Sequence, residues 1–215
     1  MYGFAISPVH LTERIATLYV MIKAIIFDCF GVLAADGWSP FKRQYLADPG
    51  KALEVAKIGK AVDEGERSYE DMISETARIA NVTEQMVRVA VEHKVPNEAL
   101  FAYITSELAS HYKIGLLSNA SYNVLKHLFT PEQVDIFDAT ALSYEIGLVK
   151  PSPEMFQAIA DRLGVQTEEC VLVDDQARHC AGAIAAGLQA IEYTSVEQCI
   201  TELKKVLPEG HANAV

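Results

Sequence analysis

Positive charge is scarce in this sequence: 18 lysines and arginines face 29 aspartates and glutamates, a formal net charge of −11. Proteins that grip nucleic acid show a basic face, so the charge balance argues against a nucleic-acid partner. An anionic substrate would need local positive charge or a metal against that background. Cysteine is also sparse. Cys29, Cys170, Cys180 and Cys199 show no C-x-x-C spacing, which argues against a disulfide framework in a chain of 215 residues. Cys29 and Cys170 lie in apolar runs and read as buried, reduced thiols. No H-E-x-x-H suggests zinc. Long apolar runs are missing too: the stretch from Ile15 to Phe27 is only about 13 residues and holds Lys23, short of the roughly 20 that span a bilayer. The first 20 residues lack the basic start and cleavage site of a secretion signal. They read as an N-terminal extension, an added helix or tail, with Met21 an alternative or true start. These absences together predict a cytoplasmic protein with no membrane partner. There is no internal repeat and no low-complexity segment.

What is present is enough apolar material for a core: 50% of residues are hydrophobic and 22% charged. Buried parallel strands read as short apolar runs, and five appear: Lys23–Asp28, Lys113–Ser118, Ile136–Ala141, Cys170–Asp174 and Leu188–Glu192. Helical patterns separate the last four. One has Ser152 as N-cap, Pro153 at the first helical position and Gly164 as stop; another, "ARHCAGAIAAG", ends near Gly187. Alternation of this kind predicts an α/β fold with a doubly wound parallel sheet, whose ligands bind at the carboxyl ends of the strands. Between the first two strands, from about Trp38 to Leu108, helical patterns occur and no clear strand. Ser68 caps a helix with Asp71 at the third position, and its apolar face runs Tyr69, Met72, Ile73, Thr76, Ala80. Thr83 starts another, with Val82 and Val87 placed as a hydrophobic staple. The expected division is an extension at 1–20, a core of 21–36 and 109–215, and a helical insertion at 37–108.

Polar residues close three of these strands: Asp28, Ser118-Asn119, and Asp174-Asp175. Lys150 follows another, before Pro151. Each has an ordinary explanation, as a turn former, a helix start, a solvated acidic pair or an extended residue before proline. In regular α/β order they also make a site. Three carboxylates form a hard oxygen set suited to Mg²⁺. Lys150 and the Ser118 hydroxyl supply donors for a phosphate-like group, and amides opening the helix after Asn119 can add more.

The four segments "IIFDCFGVL", "IGLLSNAS", "GLVKPSPEMF" and "VLVDDQARHCAGAIAAG" resemble, in order and spacing, the motifs of the haloacid dehalogenase-like (HAD) hydrolase superfamily, over roughly Ile22 to Ile191. "GERSYEDM" resembles a cap segment of its small sugar-phosphate phosphatase branch. The resemblance implies a Rossmann-like core with a helical cap, Mg²⁺ as cofactor and a small phosphorylated metabolite as substrate, with oligomeric state open between monomer and homodimer. It implies Asp28 as the nucleophile that forms an aspartyl-phosphate, with Ser118, Asn119 and Lys150 on the phosphoryl group. The metal would be held by Asp28, the backbone carbonyl of Phe30, Asp175 and Asp174, the last directly or through water.

One departure stands out: most family phosphatases carry an acid–base Asp where this chain has Phe30. The resemblance then implies a phosphatase that favours a good leaving group or borrows an acid, from the cap or from Asp36. Alternatives are a phosphate-binding protein without turnover, and a metal-free dehalogenase, against which the acidic pair Asp174-Asp175 argues. His179 and Arg178 are read as helix-surface residues, Trp38, Arg43, Tyr45 and Arg67 as packing or surface residues, and Cys29 as a buried structural thiol.

Overall fold

The computed structural model describes residues 20–63, 66–120 and 123–207. The N-terminal extension expected at 1–20 therefore lies outside the described residues, apart from Val20. In chain order the strands are β1 (Ala24–Phe27), β2 (Ala34–Asp36), β3 (Lys94–Pro96), β4 (Lys113–Ser118), β5 (Ala139–Leu142), β6 (Cys170–Asp174) and β7 (Gln189–Glu192). The α-helices are α1 (Trp38–Tyr45), α2 (Pro49–Asp63), α3 (Tyr69–Ala80), α4 (Glu84–Glu92), α5 (Glu98–Tyr103), α6 (Val124–Leu128), α7 (Pro131–Val134), α8 (Ser143–Ile146), α9 (Pro153–Leu163), α10 (Ala177–Ala185) and α11 (Val196–Val206).

Five strands pair in parallel in the order β5-β4-β1-β6-β7. The chain builds outward from β1 in one direction, then returns to build in the other, which makes a doubly wound α/β, Rossmann-like sheet. Side chains alternate between its faces. Ile25 and Phe27 join a cluster with Leu100, Ile104 and Leu203, whereas Ala24 and Ile26 join Phe156, Ile159 and Leu163 on the other side. β1 is wholly buried, and this explains its uninterrupted apolar run. Phe27 pairs with both Leu116 and Val173. The next residues, Asp28 and Asp174, therefore emerge beside each other at the carboxyl edge.

Helices α1 to α4 form a separate cluster around Phe41, Val55, Ile58, Ile73, Ala77 and Val87. The capping box of α3 forms as its sequence predicts: Ser68 Oγ accepts from Asp71 N–H at 3.1 Å and Asp71 Oδ2 accepts from Ser68 N–H at 3.1 Å. Thr83 caps α4, and Val87 is fully buried. Two local expectations need correction. The region from Trp38 to Leu108 does contain a strand, β3, paired antiparallel with β2. It has three residues, half-exposed, with no apolar run to betray it. Strand β5 starts at Ala139 rather than Ile136. Ile136 and Phe137 pack on the core from the preceding turn, where apolar content alone mimics a strand. Helix α9 has Ser152 as N-cap, Pro153 as its first residue and Gly164 as C-cap, as expected, although the Ser152 side chain makes no capping hydrogen bond. Packing also groups Leu100, Phe101, Ile104 and Leu108 with the sheet rather than with α1 to α4.

Candidate active site

Four chain segments converge at the carboxyl edge of β1, β4 and β6. Lys150, joined to Pro151 by a cis peptide bond, is 3% exposed. Its Nζ lies 2.8 Å from Asp28 Oδ1 and donates to Asp174 Oδ2 at 2.6 Å. Asn119 holds the lysine's backbone at both ends: Nδ2 donates to Lys150 O at 3.0 Å and Oδ1 accepts from Lys150 N–H at 2.8 Å. An ammonium buried against two carboxylates stays charged: burial works against it, but Asp28 and Asp174 outweigh this and raise its pKa. Asp28 Oδ1 also accepts from Cys29 N–H at 2.7 Å. Burial nevertheless pushes the Asp28 carboxyl up to about 6, with Lys150 opposing and Asp174 assisting.

Asp174 is engaged on both oxygens. Oδ1 accepts from Gln176 N–H at 2.9 Å, the turn an aspartate forms with the backbone two residues on, and His179 Nδ1 lies 3.0 Å from it. Burial opposes ionisation, yet the His179 and Lys150 contacts prevail and hold the pKa of Asp174 below its ordinary value. His179 is therefore not a surface residue: it is 2% exposed, and its Nε2 has no hydrogen-bond partner. The first turn of α10 bends it back onto the strand end five residues earlier. That placement depends on the turn geometry rather than on the helical pattern, so the sequence reading missed it. Arg178 stays exposed, and its Nε donates to Gln176 Oε1 at 2.9 Å.

Asp175 joins the carboxylates of Asp28 and Asp174. Gly31, at φ +89°, makes room for it, since a Cβ there would lie 2.5 Å from Asp175 Oδ2. One carboxylate oxygen from each of Asp28, Asp174 and Asp175 lies within 4.8 Å of the others. This all-oxygen donor set fits a hard divalent cation such as Mg²⁺. Asp174 is already bonded to Lys150, His179 and Gln176. The Ser118 hydroxyl is fully buried and makes no hydrogen bond among the described residues.

These groups open into a cavity of about 610 Å³, lined at one end by Asp28, Ser118, Asn119, Lys150 and Asp175. Trp38, Leu46, Val55, Met72 and Val91 from the insertion line the other end. Trp38 is thus both a packing residue, stacked 5.4 Å from Phe41, and a wall of the cavity. Tyr45 packs on Phe41 at 5.0 Å, Arg43 is exposed, and Arg67 pairs with Glu75. Phe30 also lines the cavity, with Lys94 Nζ 4.7 Å from its ring centroid. Sequence reading did not single out Lys94, because the strand that carries it has no pattern. Cys29 is fully buried, as expected. The stretch after Asn119, read as a source of amide donors, includes residues 121–122 outside the described residues; α6 begins only at Val124. Among the described residues no helix is long and apolar enough to cross a membrane.

Comparison with known proteins agrees with this geometry. The chain is 27% identical over 186 residues to Phosphatase MT3486 of Mycobacterium tuberculosis, covering 79% of this chain and 86% of that protein. It is 26% identical over 182 residues to YhcW of Bacillus subtilis, covering 80% and 83%. Its fold matches a HAD family enzyme of Bacteroides thetaiotaomicron solved with magnesium and inorganic phosphate. That match has a TM-score of 0.53 and 24% identity, over 80% of this chain and 94% of the other. The family model for haloacid dehalogenase-like hydrolases matches residues 22–187, and the chain belongs to that family.

Proposed function

We propose that this hydrolase is a Mg²⁺-dependent phosphatase acting in the cytoplasm on a small phosphorylated metabolite, such as a sugar phosphate, through an aspartyl-phosphate on Asp28. The observation that carries the reading is the convergence of a buried carboxylate, an unpartnered buried hydroxyl and a buried ammonium at one end of the cavity. One Asp28 oxygen is held by Cys29 N–H and Lys150, leaving the other to attack phosphorus. The Ser118 hydroxyl and the Lys150 ammonium receive the phosphoryl oxygens, and Asn119, bonded to the Lys150 backbone, sets where that ammonium stands. As the bond from Asp28 to phosphorus forms, the P–O bond to the leaving group breaks and the departing oxygen takes its proton from solvent; water then attacks the aspartyl-phosphate, releasing inorganic phosphate and restoring the Asp28 carboxylate. Asp28, Asp175 and the Phe30 carbonyl would hold the metal, with Asp174 acting through water because its own oxygens serve Lys150 and His179. Bound there, Mg²⁺ would screen the repulsion between two anions and stabilise charge on the transferring group. Helices α1 to α4 act as the cap over this site.

Phe30 withholds general acid–base assistance, typically worth about 10²–10⁴-fold. The reading therefore favours good leaving groups, such as acyl or anomeric phosphates. The test is hydrolysis of acetyl phosphate and p-nitrophenyl phosphate with and without Mg²⁺, beside Asp28→Asn. Turnover requiring both the metal and Asp28 is expected. Activity that survives Asp28→Asn, or none across a panel of phosphates, overturns it.

A further inference from the structure

Helices α1 to α4 leave apolar surface uncovered at the cavity. Trp38, Met72 and Val91 pack one side on the core of the insertion and remain half-exposed. All three line the cavity, as do Ala52 and Ala56, which are exposed and one turn apart on α2. Apolar surface left open around a concave site marks the chemistry that the site covers. Among the described residues, the polar side chains that the insertion adds to this lining are Ser39, Lys42 and Lys94, besides the indole of Trp38. Ser39 and Lys94 have interactions of their own within the protein, and Lys94 Nζ also stands 4.7 Å from the centroid of the Phe30 ring. Lys42 is exposed, so its ammonium keeps its water. What the insertion turns towards a ligand is therefore mainly carbon.

The chemistry at phosphorus sets a second condition. In-line attack by Asp28 puts the leaving oxygen opposite the nucleophile, and Phe30 offers that oxygen no proton. An alkoxide needs a proton as it departs. A carboxylate, whose conjugate acid has a pKa of about 4, keeps the electron pair of the broken P–O bond and needs none at neutral pH. Acyl and anomeric phosphates both ease this demand, and the walls decide between them. A sugar brings several hydroxyls, each of which would exchange water for carbon and lose hydrogen bonds. An apolar acyl chain brings none and gains from the same burial.

We infer that the substrate is an acyl phosphate whose apolar chain lies against Trp38, Met72, Val91 and the exposed face of α2. Asp28 bonds to phosphorus, the acyl carboxylate leaves with the electron pair of its P–O bond, and water releases phosphate from Asp28. The inference rests on the phosphatase reading for the place of the phosphoryl group, and its test separates the two. Acetyl, butyryl and hexanoyl phosphate share one leaving group and differ only in chain length. After correction for spontaneous hydrolysis, kcat/KM is expected to rise about two- to four-fold for each added methylene, chiefly through KM. Met72→Leu should keep that slope. Met72→Gln should flatten it, and so should Ala56→Gln, at an exposed helix position that tolerates the change. A flat series in the wild type, or a slope unchanged in both glutamine variants, overturns the inference.

Calorimetric binding of methyl-, propyl- and pentylphosphonate to Asp28→Asn gives a readout independent of turnover, with glucose 1-phosphate as the sugar counterpart. Affinity that climbs with chain length, and that Met72→Gln levels, supports the apolar site even if the wild type hydrolyses no phosphate; in that case the phosphatase reading falls alone. Glucose 1-phosphate binding as tightly as pentylphosphonate counts against the inference. Asp28-dependent turnover of p-nitrophenyl phosphate with a flat series in both assays leaves the phosphatase reading standing and removes this inference.

Discussion

Burying Asp28 against Lys150 sets how the site responds to pH. Desolvation raises the folded-state pKa of this carboxyl from 3.8 to about 6. A raised acid pKa means that the folded state binds the proton more tightly than the unfolded chain. Its stabilising effect is complete below about pH 4 and lost as pH rises through about 6. In metal-free protein at pH 7, Asp28→Asn should therefore unfold at higher denaturant, by on the order of 2 kcal/mol, while losing turnover. A lower midpoint in EDTA would contradict that sign. Mg²⁺ should reverse the penalty: it is expected to raise the melting temperature of the wild type, and to do so much less in Asp175→Asn. Equal shifts in the two proteins would remove Asp175 from the metal site. Gly31→Ala should act on the same carboxylate, since φ +89° strains any side chain and the added methyl meets Asp175 Oδ2 at 2.5 Å. Its expected signature is a weakened Mg²⁺ response together with reduced turnover.

The elements hold these residues through close contacts of their own. Helix α10 passes directly beneath the cis-proline loop, and a Cβ at Gly182 would lie 2.5 Å from Pro151 Cβ and 2.9 Å from Pro151 O. Gly182→Ala should cost about 1–3 kcal/mol by overpacking. It should also lower kcat, because the loop it displaces carries Lys150. A fully stable, fully active variant would show that the loop moves freely. The strand-end residues Asp28, Ser118 and Asp174 were legible in the sequence because a buried parallel strand writes itself as an apolar run, and the residue that ends the run is the one at the edge. Lys150 and Asp175 were legible by their position after such runs. Gly182 and His179 were not, since their roles come from contacts across α10 that helical periodicity does not encode. Lys94 was hidden for another reason. Its three-residue strand is defined only by pairing with Ala34–Asp36, where Asp36 lies opposite Lys94 and Ala34 opposite Pro96, 58 and 62 residues apart in the chain.

At the scale of the whole molecule, two packed bodies share one cavity. The clusters on either face of the sheet take no residue from α1 to α4, and those helices bury their own apolar face on one another. Both chain crossings between the bodies run through the β2–β3 ribbon, where Asp36 pairs with Lys94 and Ala34 with Pro96. Asn97 anchors it: Nδ2 donates to Val32 O at 3.0 Å and to Tyr193 Oη at 2.8 Å, while Oδ1 caps α5. Asn97→Ala should lose the cap and both anchors, costing about 1–2 kcal/mol in denaturant unfolding. The ribbon is, in effect, an open hairpin whose tip has been replaced by four helices. Because its two ends already lie in register, an Asn-Gly turn joining Asp36 to Lys94 would close it as an ordinary two-residue hairpin. The shortened chain should fold and unfold cooperatively on its own. The ribbon is thus a socket: exchanging what is plugged into it should change the apolar walls of the cavity while Asp28, Ser118 and Lys150 keep their places at the strand edge.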